Sequence, residues 1–128
     1  MKYISPYDHK EQKLESPDCK YVAEIRNVRE FQMGGPMYGD LYLSNGVSAK
    51  GVGVSIKWSD DSRYLAVPEL NAKQPEFKVL IINVGSGNKM YASGTYGPIG
   101  IKDFLKEKLI LVNIDDTEIE IDVSKIKW

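Results

Sequence analysis

Cysteine and histidine are almost missing from this chain of 128 residues, each occurring once, as Cys19 and His9. A lone cysteine excludes an internal disulfide framework, and with one histidine beside it no multi-cysteine zinc site can be assembled. Net charge is missing too: 17 basic against 18 acidic residues leave −1. That is too weak a field to gather nucleic acid or an anionic membrane, so neither is expected as a partner. No apolar run approaches the roughly twenty residues that cross a bilayer. At the start of the chain Pro6 and Asp8 arrive before an apolar stretch of signal-peptide length, so no export signal is read and a cytoplasmic, reducing setting is expected.

Also scarce is the i, i+3, i+4 spacing of an amphipathic helix. Period-two alternation of apolar residues takes its place, which predicts an all-β fold. Strands are expected over 21–28, 39–44, 53–58, 64–68, 77–84, 89–93, 109–113 and 117–123. Between them, Asn45-Gly46, Ser59-Asp60-Asp61-Ser62, Gly85-Ser86-Gly87-Asn88 and Asp115-Asp116 supply the turn chemistry of tight reversals. Such short connections predict antiparallel meanders. Residues 101–108 read as a helical turn acting as a connector, while 1–15 and 29–38 read as irregular. The length suits a single domain over 1–128.

A turn followed by a strand occurs twice. Ser16-Pro17-Asp18-Cys19-Lys20-Tyr21-Val22-Ala23 returns, offset by 43 residues, as Ser59-Asp60-Asp61-Ser62-Arg63-Tyr64-Leu65-Ala66. In each, a serine opens the turn, an aspartate bonds local N–H groups, and a basic residue leads into an alternating strand. A second apolar strand ending in a glycine turn follows each copy, so the repeats run over about 14–57 and 58–100, with a C-terminal hairpin at about 108–124.

Trp58-Ser59-Asp60-Asp61-Ser62-Arg63-Tyr64-Leu65-Ala66, with the later Lys78 to Gly87 strand and turn, resembles a blade of the WD-repeat and Tol-type β-propellers. The resemblance implies two antiparallel, propeller-like β-meander sheets packed together as a half-propeller or β-sandwich. Closure needs about four to eight blades, more than this chain holds. The expected core is Tyr21, Ala23, Leu41, Leu43, Ile56, Trp58, Leu65, Val67, Leu80 and Ile82. Sheet edges left open must be charged, covered or used for docking, including docking of a second copy as a homodimer.

Chemistry for catalysis is thin. His9 lies in a polar stretch, no G-x-S-x-G elbow selects a serine, the close glycines lack a strand-to-helix setting, and Cys19 sits at a variable turn position. No enzyme, cofactor or metal is expected. Partner-binding candidates are the loop residues Phe31, Met33, Met37 and Tyr38, then Tyr91 and Tyr96, with the acids Asp60, Asp61, Asp115 and Asp116. Some of the apolar ones could instead close the ends of the sandwich. Small size and absent chemistry resemble the immunity proteins of bacterial contact-dependent toxin systems. That resemblance implies a cognate protein toxin as partner; the alternative is a scaffold that self-associates or docks on another propeller.

Overall fold

The computed structural model describes residues 3–74 and 76–124; Met1 and Lys2 of the polar opening stretch lie outside them. The strands are β1 (Gln12–Glu15), β2 (Val22–Glu30), β3 (Met37–Leu43), β4 (Ser48–Gly53), β5 (Lys57–Trp58), β6 (Tyr64–Asn71), β7 (Glu76–Asn83), β8 (Lys89–Tyr91), β9 (Gly100–Leu105), β10 (Lys108–Val112) and β11 (Glu118–Asp122). No helix occurs among the described residues. Two antiparallel sheets form and neither closes. The larger runs β1-β2-β3-β4-β6-β7-β8 with β5 also paired to β6, and the smaller runs β11-β10-β9.

The two copies of the turn adopt one geometry. Ser16 Oγ donates to Asp18 Oδ1 at 2.6 Å and accepts the Tyr21 N–H at 3.1 Å; Ser59 Oγ donates to Asp61 Oδ1 at 2.7 Å and accepts the Tyr64 N–H at 3.0 Å. Each aspartate also takes the N–H two residues on, from Lys20 or Arg63. Equivalent positions Cys19 and Ser62 both take a left-handed conformation, with φ of 62° and 65°. The first turn docks on the second, since the Asp18 N–H donates to Ser62 Oγ at 2.9 Å. The second docks on the β9–β10 reversal, where Asp60 N–H donates to the Phe104 carbonyl and Asp60 Oδ1 accepts the Lys106 N–H.

These joints define three stacked units, β1–β4, β5–β8 and β9–β11. The single bridge Val52–Glu69 carries the hydrogen-bonded sheet from the first to the second, and Val54, Ser55 and Ile56 turn the chain between them, fully covered. One core lies between the first two units and contains Ala23, Ile25, Leu41, Leu43, Ile56, Trp58, Leu65, Val67, Leu80 and Ile82, with Tyr21 packed against it. Every residue expected in the core is therefore in this one cluster. A second core, between the second and third units, takes Ala66, Phe77, Val79, Ile81, Ile101, Phe104, Leu109 and Leu111.

The middle unit is thus buried on both faces, which is why Val79-Leu80-Ile81-Ile82 reads as an unbroken apolar run: odd residues face one core and even residues the other. Its tryptophan also ties the units. Trp58 Nε1 donates to the Leu14 carbonyl at 3.1 Å, and the Ile101 N–H donates to the buried Ser55 Oγ at 2.8 Å.

Four expectations change. Arg29, Glu30, Met37 and Tyr38, read as irregular, end β2 and open β3, where they pair across the ladder. Residues 101–108 are not a helical turn but β9 and its hairpin to β10. The register steps from Ile110–Asp103 to Leu111–Ile101, leaving Lys102 as the extra residue of a bulge. That extra residue puts Ile101 and Phe104 on the same side, and the resulting i, i+3 spacing imitates a helix. Residues 12–15, read as irregular, form β1, whose one inward aliphatic, Leu14, pairs with Ala23. The expected strand over 53–58 is instead β4, the buried turn at 54–56 and the short β5; Gly51, at φ 69°, interrupts the alternation that would mark β4.

Ser59 is fully buried, and its hydroxyl satisfies Tyr64 and Asp61 together. Ser59→Ala should lower stability by about 1–3 kcal/mol in urea denaturation, because it strands the Tyr64 N–H. Ser86→Ala, at an exposed turn, should change it by less than about 0.5 kcal/mol.

Candidate interaction surface

Hydrogen bonds gather the reversals at one end of the stack. Besides the joints above, Asn45 Nδ2 donates to the Val84 carbonyl, Lys89 Nζ to the Ser48 carbonyl, and the Val84 N–H to the Arg63 carbonyl. β2 leaves this end at Val22 and finishes at Glu30, roughly 25 Å away at about 3.3 Å per residue. There the β2–β3 loop projects. The candidates divide accordingly: Asp60 and Asp61 belong to the turn end, whereas Phe31, Met33, Tyr96, Asp115 and Asp116 lie on loops leaving the far ends of their strands; Met37 and Tyr38, expected on a loop, open β3 instead, and Tyr91 ends β8.

The β2–β3 loop is pinned from several sides. Phe31 N–H donates to the Pro36 carbonyl at 2.8 Å, Gly35 N–H to the Gln32 carbonyl at 3.1 Å, and Gly34 N–H to Glu30 Oε2 at 2.9 Å. The Met37 N–H donates to the Pro6 carbonyl at 2.9 Å, tying the N-terminal segment to the loop. Gly34 sits at φ 73°, and a Cβ on Gly35 would fall 2.0 Å from the Phe31 carbonyl oxygen, so the bend needs glycine at both places. Phe31 and Tyr38 meet edge to face at 6.1 Å, and the Arg29 guanidinium lies 4.3 Å from the Tyr38 ring centroid. At the tip, Met33 is 100% exposed. Met37, four residues on, is buried in the first core and so closes the end of the stack.

The N-terminal segment runs on to the third unit. The Tyr3 ring packs where a Cβ on Gly100 would stand, and Tyr3, Tyr7, Val112, Ile114 and Asp116 line a groove of about 200 Å³. Tyr7 and Ile114 are exposed there, Ile114 to 65%. Sequence reasoning passed over both. Tyr7 lay in a stretch read as irregular, and Ile114 interrupts a turn whose acids drew attention instead. Asp115 and Asp116 follow it, exposed, in a turn closed by Asn113, whose Oδ1 accepts the Asp115 and Thr117 N–H groups.

Other candidates have local structural partners. Asp60 and Asp61 each commit Oδ1 to the turn end. Asp18, their counterpart in the first turn, has its carboxyl held below the ordinary value by the Ser16 hydroxyl and then by the Lys20 N–H. Tyr91 donates to Glu69 Oε1 at 2.6 Å; that bond, with some burial and the carboxylate's charge, pushes its phenol up to about 12. Tyr96 bridges Phe77 through main-chain bonds and donates its hydroxyl to the Ser93 carbonyl; burial raises its pKa. His9 and Cys19 are exposed. Among the described residues no three His, Cys, Asp or Glu side chains converge to hold a metal ion.

In comparisons with known proteins, the chain matches no family model, no curated protein and no solved structure. Gly35→Ala should displace the loop without unfolding the stack. NMR shifts should move across residues 30–38 while the amides of Leu65 and Leu109 stay, with a loss of about 1 kcal/mol in stability.

Proposed function

We propose that the chain is a non-catalytic protein-recognition module, and that it serves as an immunity protein that neutralises a cognate bacterial toxin by occluding its active site. The observation that carries this reading is Met33, held fully in water at the tip of a loop that its own hydrogen bonds have already ordered. A large flexible apolar side chain gains about 1.5–3 kcal/mol when fully covered. Because the loop is preorganised, little of that gain is lost to ordering on contact. A projecting tip suits a concave target, as an active-site cleft is. Asp115 and Asp116, exposed on the β10–β11 turn, supply negative charge for the basic surroundings of a nuclease-type site.

The repeated turn supports the propeller-blade likeness, which we retain as part of the proposal: the loops at the far ends of blade-type units are open for recognition. Scaffolding through self-paired edges has less support. β11, an open edge, carries Glu118 and Glu120, and antiparallel pairing with its own copy would bring like charges together.

Co-purification and a growth-protection assay with the toxin-like product of the neighbouring gene test this reading. Met33→Asp should weaken the complex about tenfold to a hundredfold and abolish protection while leaving the melting temperature unchanged. Neither complex nor protection for the unaltered chain would refute it.

A further inference from the structure

We propose that the free edge of β11 is a docking site for an extended, basic segment of a partner protein, which joins the smaller sheet as an added strand. This surface is separate from the Met33 loop and does not depend on it. Asn113 N–H donates to the Thr117 carbonyl and Val123 N–H to the Glu107 carbonyl. With the register Leu111–Ile119 and Leu109–Ile121, those bonds fix Ile119 and Ile121 as the residues whose main-chain groups face β10. The alternation of an antiparallel ladder then turns the N–H and C=O groups of Glu118 and Glu120 outward, to the side where no described strand pairs.

Other margins are less available. The outward main-chain groups of the four-residue β1 are those of Lys13 and Glu15, one basic and one acidic, so that edge has no net charge to select a partner; β8 has three residues, and β9 is bonded to Ser55 and Asp60 of the middle unit.

Charge and packing state what the strand should look like. Residues 115–122 contain Asp115, Asp116, Glu118, Glu120 and Asp122 and no basic side chain. Lys102 pairs with Glu118 and Lys108 with Glu120, which leaves the segment negative. Glu118 and Glu120 face away from the second core, while Ile119 on the other face is only partly buried against it. An added strand with Lys or Arg on the outer face and aliphatic residues on the inner face would meet the acids, cover Ile119 and satisfy the free main-chain groups together. The same acids repel a second copy of β11, so the edge selects a basic partner over itself.

The probe is an acetylated, amidated peptide of alternating Lys and Val, titrated into the full chain and followed by NMR. The expected result is saturable shifts with slowed exchange at the Glu118 and Glu120 amides. Glu120→Pro removes an outward N–H that the β10 ladder does not use, so it should abolish binding at an unchanged melting temperature. If that variant proves unstable, Glu118→Gln with Glu120→Gln should instead lower affinity about threefold to tenfold. Met33→Asp should bind the peptide like the unaltered chain, which separates this site from the loop. The proposal is overturned if there is no binding at about 1 mM peptide, if shifts fall elsewhere, or if a peptide N-methylated at alternate residues binds equally well. Concentration-dependent self-pairing through β11 would overturn it as well.

Discussion

Each of the three units leans on the turn at Ser59 to Tyr64. Through Ser62 Oγ it takes the first unit's Asp18 N–H, and through Asp60 it exchanges bonds with Phe104 and Lys106 of the third. A protein hydrogen bond contributes about 1 kcal/mol net, small beside the apolar burial but not beside the 5–15 kcal/mol by which a domain is stable. These bonds also have direction. Apolar faces alone would let the units slide; bonds between successive turns fix how far each is rotated on the next.

That registration explains how side chains are distributed. With the turns aligned, residues 43 apart look the same way along the stack: Tyr21 and Ala23 face the second unit, while Tyr64 and Ala66 face the third. The opposite faces differ because their neighbours differ. Val67 of the second unit is buried against the first, whereas its counterpart Glu24, on a face that no described unit covers, bonds Arg26. The third unit ends differently, with Leu105 53% exposed and no described strand paired to the outer side of β11.

Much of this was legible in the residues. Ser-x-Asp followed by a basic residue and an alternating strand specifies its own hydrogen bonds, so the repeat and the core between the first two units could be read directly. The second core could not. In Val79-Leu80-Ile81-Ile82 composition does not say that the opposite face is also covered, and the covering strand β9 was disguised by the bulge at Lys102. The loop was legible in part: Met33-Gly34-Gly35-Pro36-Met37 marks a bend, but which methionine enters the core depends on Met37 pairing with Glu30 across the β2–β3 ladder. Asp60 and Asp61 show the opposite ambiguity, since an acid suited to a partner is equally suited to a turn, and here each holds the turn end together.

The central claim, that bonds between turns lock three units into one cooperative stack, is tested most directly by native-state hydrogen exchange at the amides of Asp18 and Lys106. Both are donors across a joint, and both sit at the surface. If the account is right, they exchange as slowly as the core amides of Leu65 and Leu109 and respond to urea with the slope of global unfolding. Fast, urea-independent exchange at either amide, with the core still protected, would mean that the joint opens by itself and that the stack is held by its apolar faces alone.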